Sequence, residues 1–175
     1  MNQRRPSPLV KWAGGKSSAL APILASAGTL PGHDGTYFEP FLGGAAAFLA
    51  IAPSRAVLSD TNAELIAMYE AVRDEPEALM RELDALQPYV ADREYYYAER
   101  ARAPQAMSRA RAAARFIYLN KTCYNGLYRV NRRGQFNVPF GRYTTPPRLY
   151  DRENLLAVSA ALGAAELVCA DYRVA

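Results

Sequence analysis

Three clusters near the amino end of the chain carry the side chains best suited to chemistry: Lys11-Trp12-Ala13-Gly14-Gly15-Lys16, Glu39-Pro40-Phe41-Leu42-Gly43-Gly44, and Asp60 at the end of an apolar run. Glycines after a short β-prone segment let backbone approach a ligand, and a helix that starts there offers unpaired N–H groups. Asp60 follows about twenty residues later, the spacing at which an acid accepts ribose hydroxyls in doubly wound sheets. The same carboxylate can instead cap the helix that starts at Thr61, and the spacing alone does not decide between the two. Gly14-Gly15-Lys16-Ser17 imitates the end of a phosphate loop, but Val10 stands where the first glycine of that motif belongs, which excludes a P-loop nucleoside triphosphatase. The single histidine, His33, lies in the turn Pro31-Gly32-His33-Asp34-Gly35, so histidine triads and histidine-based metal sites are excluded too. Cys123 and Cys169 form no CxxC pair, and they are expected to be reduced thiols.

These residues need a scaffold, and the pattern predicts one. Thr36–Glu39 and Ala56–Ser59 read as strands, with an apolar helix over Ala45–Ala52 between them, and Lys16–Ala27 reads as an earlier helix. Thr61-Asn62-Ala63-Glu64 is a capping box, with Leu65, Ile66, Tyr69 and Val72 at helical spacing behind it. Further helices are expected over Glu77–Leu86, Glu94–Ala101, Ala106–Asn120 and Asp151–Leu162, and a buried strand over Glu166–Cys169. Between them Tyr124–Pro147 has no helical period, and Gln135–Val138 is expected as one arm of a ribbon around Asn131–Gly134. The chain's 175 residues suit one medium domain or part of a larger one. The longest apolar run, Ala45–Ala52, is far below the ~20 residues of a membrane span, and no apolar signal segment follows Met1, so a cytoplasmic location is expected.

Charge is strongly polarised along the sequence. Eleven basic and no acidic side chains fall between residues 100 and 150, giving that stretch +11, while ten basic and seventeen acidic residues give the remainder −7. Of the 21 basic residues 18 are arginine, the side chain that pairs bidentately with phosphate and guanine. Tyr118, Tyr124, Tyr128, Phe136, Phe140 and Tyr143 interleave with these cations, as on a surface that tracks a phosphate backbone and stacks bases. Nucleic acid is the favoured partner; a solvated helix face beside an aromatic core edge is the other reading.

Taken together, Lys11–Lys16, Glu39–Ala45, Ser59–Asn62, Asn120-Lys121-Thr122-Cys123-Tyr124-Asn125-Gly126-Leu127-Tyr128-Arg129 and Gly134-Gln135-Phe136-Asn137-Val138-Pro139-Phe140-Gly141 resemble, in order and spacing, the Dam-type, alpha-class adenine-N6 DNA methyltransferases. The resemblance implies an α/β fold: a Rossmann-like sheet for S-adenosylmethionine, incomplete here, with an inserted, mainly helical DNA-recognition subdomain. Residues 1–75 would belong to the cofactor-binding part, 76–150 to the recognition subdomain and 151–175 to the return to the sheet. It assigns Trp12, Lys16, Glu39, Phe41, Gly43, Gly44 and Asp60 to the cofactor. The rings would pack on adenine or the sulfonium, Lys16 would pair with the methionine carboxylate and Asp60 would accept the ribose hydroxyls. For double-stranded DNA it implies Tyr124 and Asn125 as a wedge beside an extruded adenine and Lys11 near the first base pair of the site. Leu127, Arg129, Pro139 and Arg142 would make base-edge or flanking contacts, with Arg132 and Arg133 in the same cationic set. Arg129 is the sharpest specificity determinant, and GATC the leading target.

The family's catalytic acid-Pro-Pro-aromatic motif does not occur among these residues. Thr145-Pro146-Pro147-Arg148 imitates it, but Thr145 offers neither carboxylate nor amide and Arg148 offers no ring. An exocyclic amine is a poor nucleophile without such acceptors, so the 175-residue chain is expected to be inactive alone and to need a C-terminal segment or a complementing chain. Poor solubility, or association with another chain, is expected as well. No metal and no membrane are expected among its partners. A non-catalytic, sequence-specific DNA-binding module, or an RNA or protein binder using the basic face, are the alternatives.

Overall fold

The computed structural model describes residues 5–14, 25 and 35–173. The helix predicted over Lys16–Ala27 and the turn around His33 lie outside them, apart from Ala25, which is helical. Three parallel strands form a sheet in the order β1 (Tyr37–Glu39), β2 (Ala56–Asp60), β3 (Ala165–Cys169). Glu39 is paired with Leu58, and Leu58 with Leu167, so the carboxyl ends of β1 and β2 open onto one edge of the sheet. The crossover from β1 to β2 holds the short helix α1 (Ala46–Ile51), bounded by Ala45 and Ala52, both left-handed at φ 59° and 52°. That pinching takes one residue off each end of the predicted helix.

After β2 come α2 (Ala63–Asp74), α3 (Pro76–Leu86), α4 (Arg93–Ala101) and α5 (Arg109–Thr122), and after a long irregular segment α6 (Arg152–Leu162) leads into β3. Their starts follow from local chemistry. Asn62, not Thr61, caps α2, with Oδ1 accepting from the Leu65 N–H at 3.1 Å. The Asn62 N–H itself donates to Asp60 Oδ1 at 3.0 Å, which moves the cap one residue past the expected capping box. Glu64 pairs across to Arg115. Asp92 and Asp151 cap α4 and α6 in the same way, and Ser108 caps α5. Ser108 explains why α5 starts three residues later than predicted: Pro104–Ala106 forms a separate 3-10 turn before it.

One contiguous apolar core runs from Leu9 and Val10 through Leu58, Leu65, Met68 and Leu83 to Ile117, Leu155 and Leu162. α2 packs on β2 and β3, and α5 packs along both α2 and α3. The helices after α2 and the sheet therefore share one interior. β3 is not the buried strand expected: only Ala165 is buried, Leu167 and Val168 are half-buried, and Glu166 and Cys169 are exposed, because among the described residues β3 pairs with β2 alone. The ribbon around Asn131–Gly134 is reduced to an isolated antiparallel bridge between Val130 and Phe136. A second isolated bridge, Cys123 with Phe140, pins the end of α5 to the following loop.

Candidate cofactor pocket and nucleic-acid face

The glycine-rich turn and Asp60 are built as one unit. The Gly43 N–H donates to Asp60 Oδ2 at 3.1 Å, and Tyr69 on α2 donates to the Gly43 carbonyl at 3.0 Å. Gly43 is left-handed at φ 50°, and a Cβ there would stand 2.7 Å from Trp12 Cδ1, so only glycine lets the turn lie against the indole. Trp12, Phe41, Gly43, Gly44 and Asp60 line one pocket of about 240 Å³, with Ala13, Gly14, Leu42 and Ala46. Asp60 is not the cap, which is Asn62, but it holds the Asn62 N–H and lines the pocket. Its two bonds from backbone N–H groups occupy only part of a carboxylate's acceptor capacity.

Glu39 does not line this pocket. It is buried one layer below, where Oε2 accepts from the Phe48 N–H and the Tyr37 hydroxyl, both at 3.1 Å, so it fastens β1 to α1. The Tyr37 hydroxyl is held protonated far above its usual range, mainly by burial and then by the Glu39 charge. Lys16 lies outside the described residues. Sequence reasoning missed Tyr172, whose ring lies 5.4 Å from Phe41 beyond β3, where the Ala170 N–H donates to the Asp60 carbonyl at 3.2 Å. The signal was available, since Phe41 and Tyr172 follow the ends of two strands of one parallel sheet.

The irregular segment after α5 is tied down by backbone bonds. The Tyr124 N–H donates to the Pro139 carbonyl at 2.9 Å, the Gly141 N–H to the Thr122 carbonyl at 2.8 Å, and the Tyr143 hydroxyl to the Cys123 carbonyl at 2.5 Å. This brings Tyr124, Pro139 and Arg142 together on the wall of a groove of about 760 Å³, completed by Phe140, Gly141 and Tyr143 and by Arg93 and Tyr97 from α4. Tyr124 is exposed at the rim, and Asn125 beside it is left-handed at φ 54°. Leu127 is also exposed. Arg129 is held by Asn137, with Nε donating to Oδ1 at 2.7 Å. Arg132 and Arg133 sit in the exposed turn beyond, and Arg133 lines a different cavity, so they do not join the groove of Tyr124.

Lys11 is joined to this face by Asn120. The buried Asn120 amide accepts from the Lys11 N–H at 2.9 Å and donates to the carbonyls of Lys11 at 2.8 Å and Gly126 at 3.0 Å. The Lys11 stem fills the space over Gly126, where a Cβ would come within 2.6 Å of it. Lys11 and Lys121 share a cavity of about 360 Å³ with Trp12, and burial together with the Lys11 charge pushes the Lys121 ammonium below its usual pKa.

Two expectations about this face need correction. Five of the eleven cations in the +11 segment are paired with carboxylates: Arg109 with Asp74 and Glu75, Arg111 with Glu82 and Glu99, Arg102 with Glu99, Arg115 with Glu64, and Arg148 with Asp151. The interleaved rings are mostly interior. Tyr118 is fully buried with its hydroxyl on the Tyr89 carbonyl, Phe136 is buried, and Tyr128, Phe140 and Tyr143 are half-buried. Of the six, Tyr124 alone is exposed. α5 is helical, and helical period sends alternate groups of a basic stretch inward, where they need acidic partners from other elements.

A three-stranded parallel sheet packed with helices, with a pocket beside the carboxyl ends of its strands, places the chain among the α/β proteins. Within that class, residues 12–175 match the family described as D12 class N6 adenine-specific DNA methyltransferase, and the chain belongs to that family. It is 36% identical over 185 aligned positions to a type II methyltransferase, M.MjaIII, of Methanocaldococcus jannaschii, covering 95% of this chain and 63% of the relative. It is 40% identical to the type II methyltransferase M1.LlaDCHI of Lactococcus lactis subsp. cremoris, covering 87% of this chain and 53% of the relative. With the DNA adenine methylase of Escherichia coli K12 the identity is 41%, over 78% of this chain and 48% of the relative. The chain thus spans from about half to just under two thirds of these relatives. Among the described residues no helix is long and apolar enough to cross a membrane, and no three His, Cys, Asp or Glu side chains are grouped to hold a metal ion.

Proposed function

We propose that this chain forms the cofactor-binding and DNA-reading part of a site-specific adenine-N6 DNA methyltransferase that uses S-adenosylmethionine, with GATC as its target. The observation that carries this reading is the convergence of Trp12, Phe41, Gly43, Gly44 and Asp60 on one pocket, joined through Lys11 and Asn120 to the loop of Tyr124.

The residues present fit the cofactor. Trp12 and Phe41, with Tyr172 beside Phe41, supply flat apolar walls for an adenine, Asp60 supplies acceptors for vicinal hydroxyls, and the Gly43 cradle admits close approach of the backbone. S-adenosylmethionine, when bound, supplies a methyl group activated by its sulfonium. The chain's residues hold and orient: Asp60 fixes both the glycine turn and the start of α2, and Trp12 closes the side of the pocket toward the reading loop. On the DNA, Tyr124 and Asn125 occupy the space left by an extruded nucleotide, while Arg129 presents donors to a guanine edge. Residues 76–150 carry this reading function.

A non-catalytic, sequence-specific DNA-binding module is the second reading, favoured by the placement of Thr145–Arg148. Gln87 donates to the Pro147 carbonyl at 3.1 Å and Arg148 pairs with Asp151, so the chain's sole Pro-Pro pair lies on the α3–α6 side and does not line the pocket. Methyl transfer by these 175 residues alone is therefore expected to be negligible. Transfer of labelled methyl from S-adenosylmethionine to a GATC duplex, beside a scrambled duplex and a protein-free control, tests this. Retained binding of cofactor and duplex without transfer agrees with the proposal, and robust transfer shows that another group polarises the amine.

A further inference from the structure

We infer that Tyr128 is a positioning residue that locks the DNA-reading loop to the wall of the cofactor pocket, so that binding of cofactor and reading of the DNA target strengthen each other. The inference rests on the function proposed above and deepens it. Tyr128 stands between Leu127 and Arg129, the two residues of that loop assigned to base contacts, yet its own side chain points inward. Its ring stacks on Trp12 with centroids 5.5 Å apart and packs against Phe136 at 5.7 Å and Phe116 at 5.5 Å. Trp12 lines the pocket on its other side, with Gly43 against it. Burial, then the charge of Glu64 on α2, pushes the Tyr128 pKa up to about 12.

One ring therefore packs on the pocket's indole and on Phe136, whose bridge to Val130 lies beside Arg129. A ligand that presses on Trp12 constrains the ring of Tyr128, and with it the backbone that aims Leu127 and Arg129. Coupling between two sites is reciprocal, so DNA that orders the loop must favour cofactor to the same extent.

Tyr128→Leu removes the ring stack on Trp12, and Tyr128→Phe keeps it. The measurement is the dissociation constant of a labelled GATC duplex with and without saturating S-adenosylhomocysteine, which cannot methylate it. In the unmodified chain the ratio of the two constants is expected to be about fivefold or more, within the usual range for coupled sites. In Tyr128→Leu the ratio should fall close to one, while Tyr128→Phe, which retains the ring contacts, should keep it. Trp12 is the chain's single tryptophan, so its emission reports directly: the duplex without cofactor should change it in the unmodified chain and in Tyr128→Phe, and change it less in Tyr128→Leu. Equal ratios in the unmodified chain and Tyr128→Leu, or a ratio of one in the unmodified chain that binds both ligands, overturn the inference alone. Failure of the unmodified chain to bind either ligand overturns the proposed function and this inference with it. Unequal melting temperatures that account for the loss, together with an unaltered emission change, also overturn it.

Discussion

At the scale of single residues, geometry separates side chains that read from side chains that hold. Arg129 is exposed and oriented by Asn137, so Arg129→Ala should erase the preference for GATC over a scrambled duplex while leaving melting nearly unchanged. The loss should be about 1–3 kcal/mol, or roughly five- to 150-fold, read from competition binding. Cys123 and Cys169 differ in the same way. Burial pushes the Cys123 thiol up to about 11, whereas Cys169 is exposed. A thiol reagent at neutral pH should therefore modify one cysteine in the native chain and two after denaturation. Because the folded pKa of Cys123 is raised, its contribution to stability is complete below the unfolded value of roughly 8.5 and is lost as pH rises toward 11. Buried Tyr69 and Tyr96, raised further by the same cause, act in the same direction, so stability measured by denaturant should fall through this alkaline range. The sequence showed Arg129 and Asp60 because their neighbours form long motifs. It could not show that Glu39 faces inward, since that follows from the register of β1 against α1.

At the scale of elements, the joints matter more than the helices. Asn120, one turn from the end of α5, holds Lys11 and Gly126 with three bonds from a buried amide. Asn120→Ala leaves those backbone groups without partners and should destabilise the chain by about 1–3 kcal/mol, measured by urea unfolding, with weaker DNA binding as a further consequence. Helices and strands were legible from spacing to within a few residues, as Ala56–Asp60 and Pro76–Leu86 illustrate. Their ends moved where a cap outside the periodic pattern decided the start, as with Asn62 and Ser108. The loop from Tyr124 to Tyr143 resisted reading because its order comes from bonds to residues distant in sequence, such as Tyr96 and Arg100 on the Val138 carbonyl. Composition records none of those partners.

At the scale of the whole molecule, pairing between elements changes what the charge distribution means. Were all eleven cations of residues 100–150 to contact phosphate, the log–log salt dependence of DNA binding would approach about −10, at roughly −0.9 per contact. With Arg102, Arg109, Arg111, Arg115 and Arg148 committed to carboxylates, the reading face retains chiefly Lys11, Lys121, Arg129, Arg132, Arg133 and Arg142. The slope in a salt titration should then be about −5 or shallower. The family resemblance was carried by local motifs spread over nearly the whole chain, whereas the pairing of Arg109, Arg111 and Arg115 required the packing of α5 against α2, α3 and α4. The proposed function depends on the pocket of Trp12, Phe41 and Asp60 holding the methyl donor. The most direct test is equilibrium binding of S-adenosylmethionine to the unmodified chain and to Asp60→Ala, by calorimetry with folding checked by circular dichroism. Saturable binding to the unmodified chain, weakened about tenfold or more in a folded Asp60→Ala chain, is the predicted result; equal affinity in the two, or no binding to the unmodified chain, would contradict it.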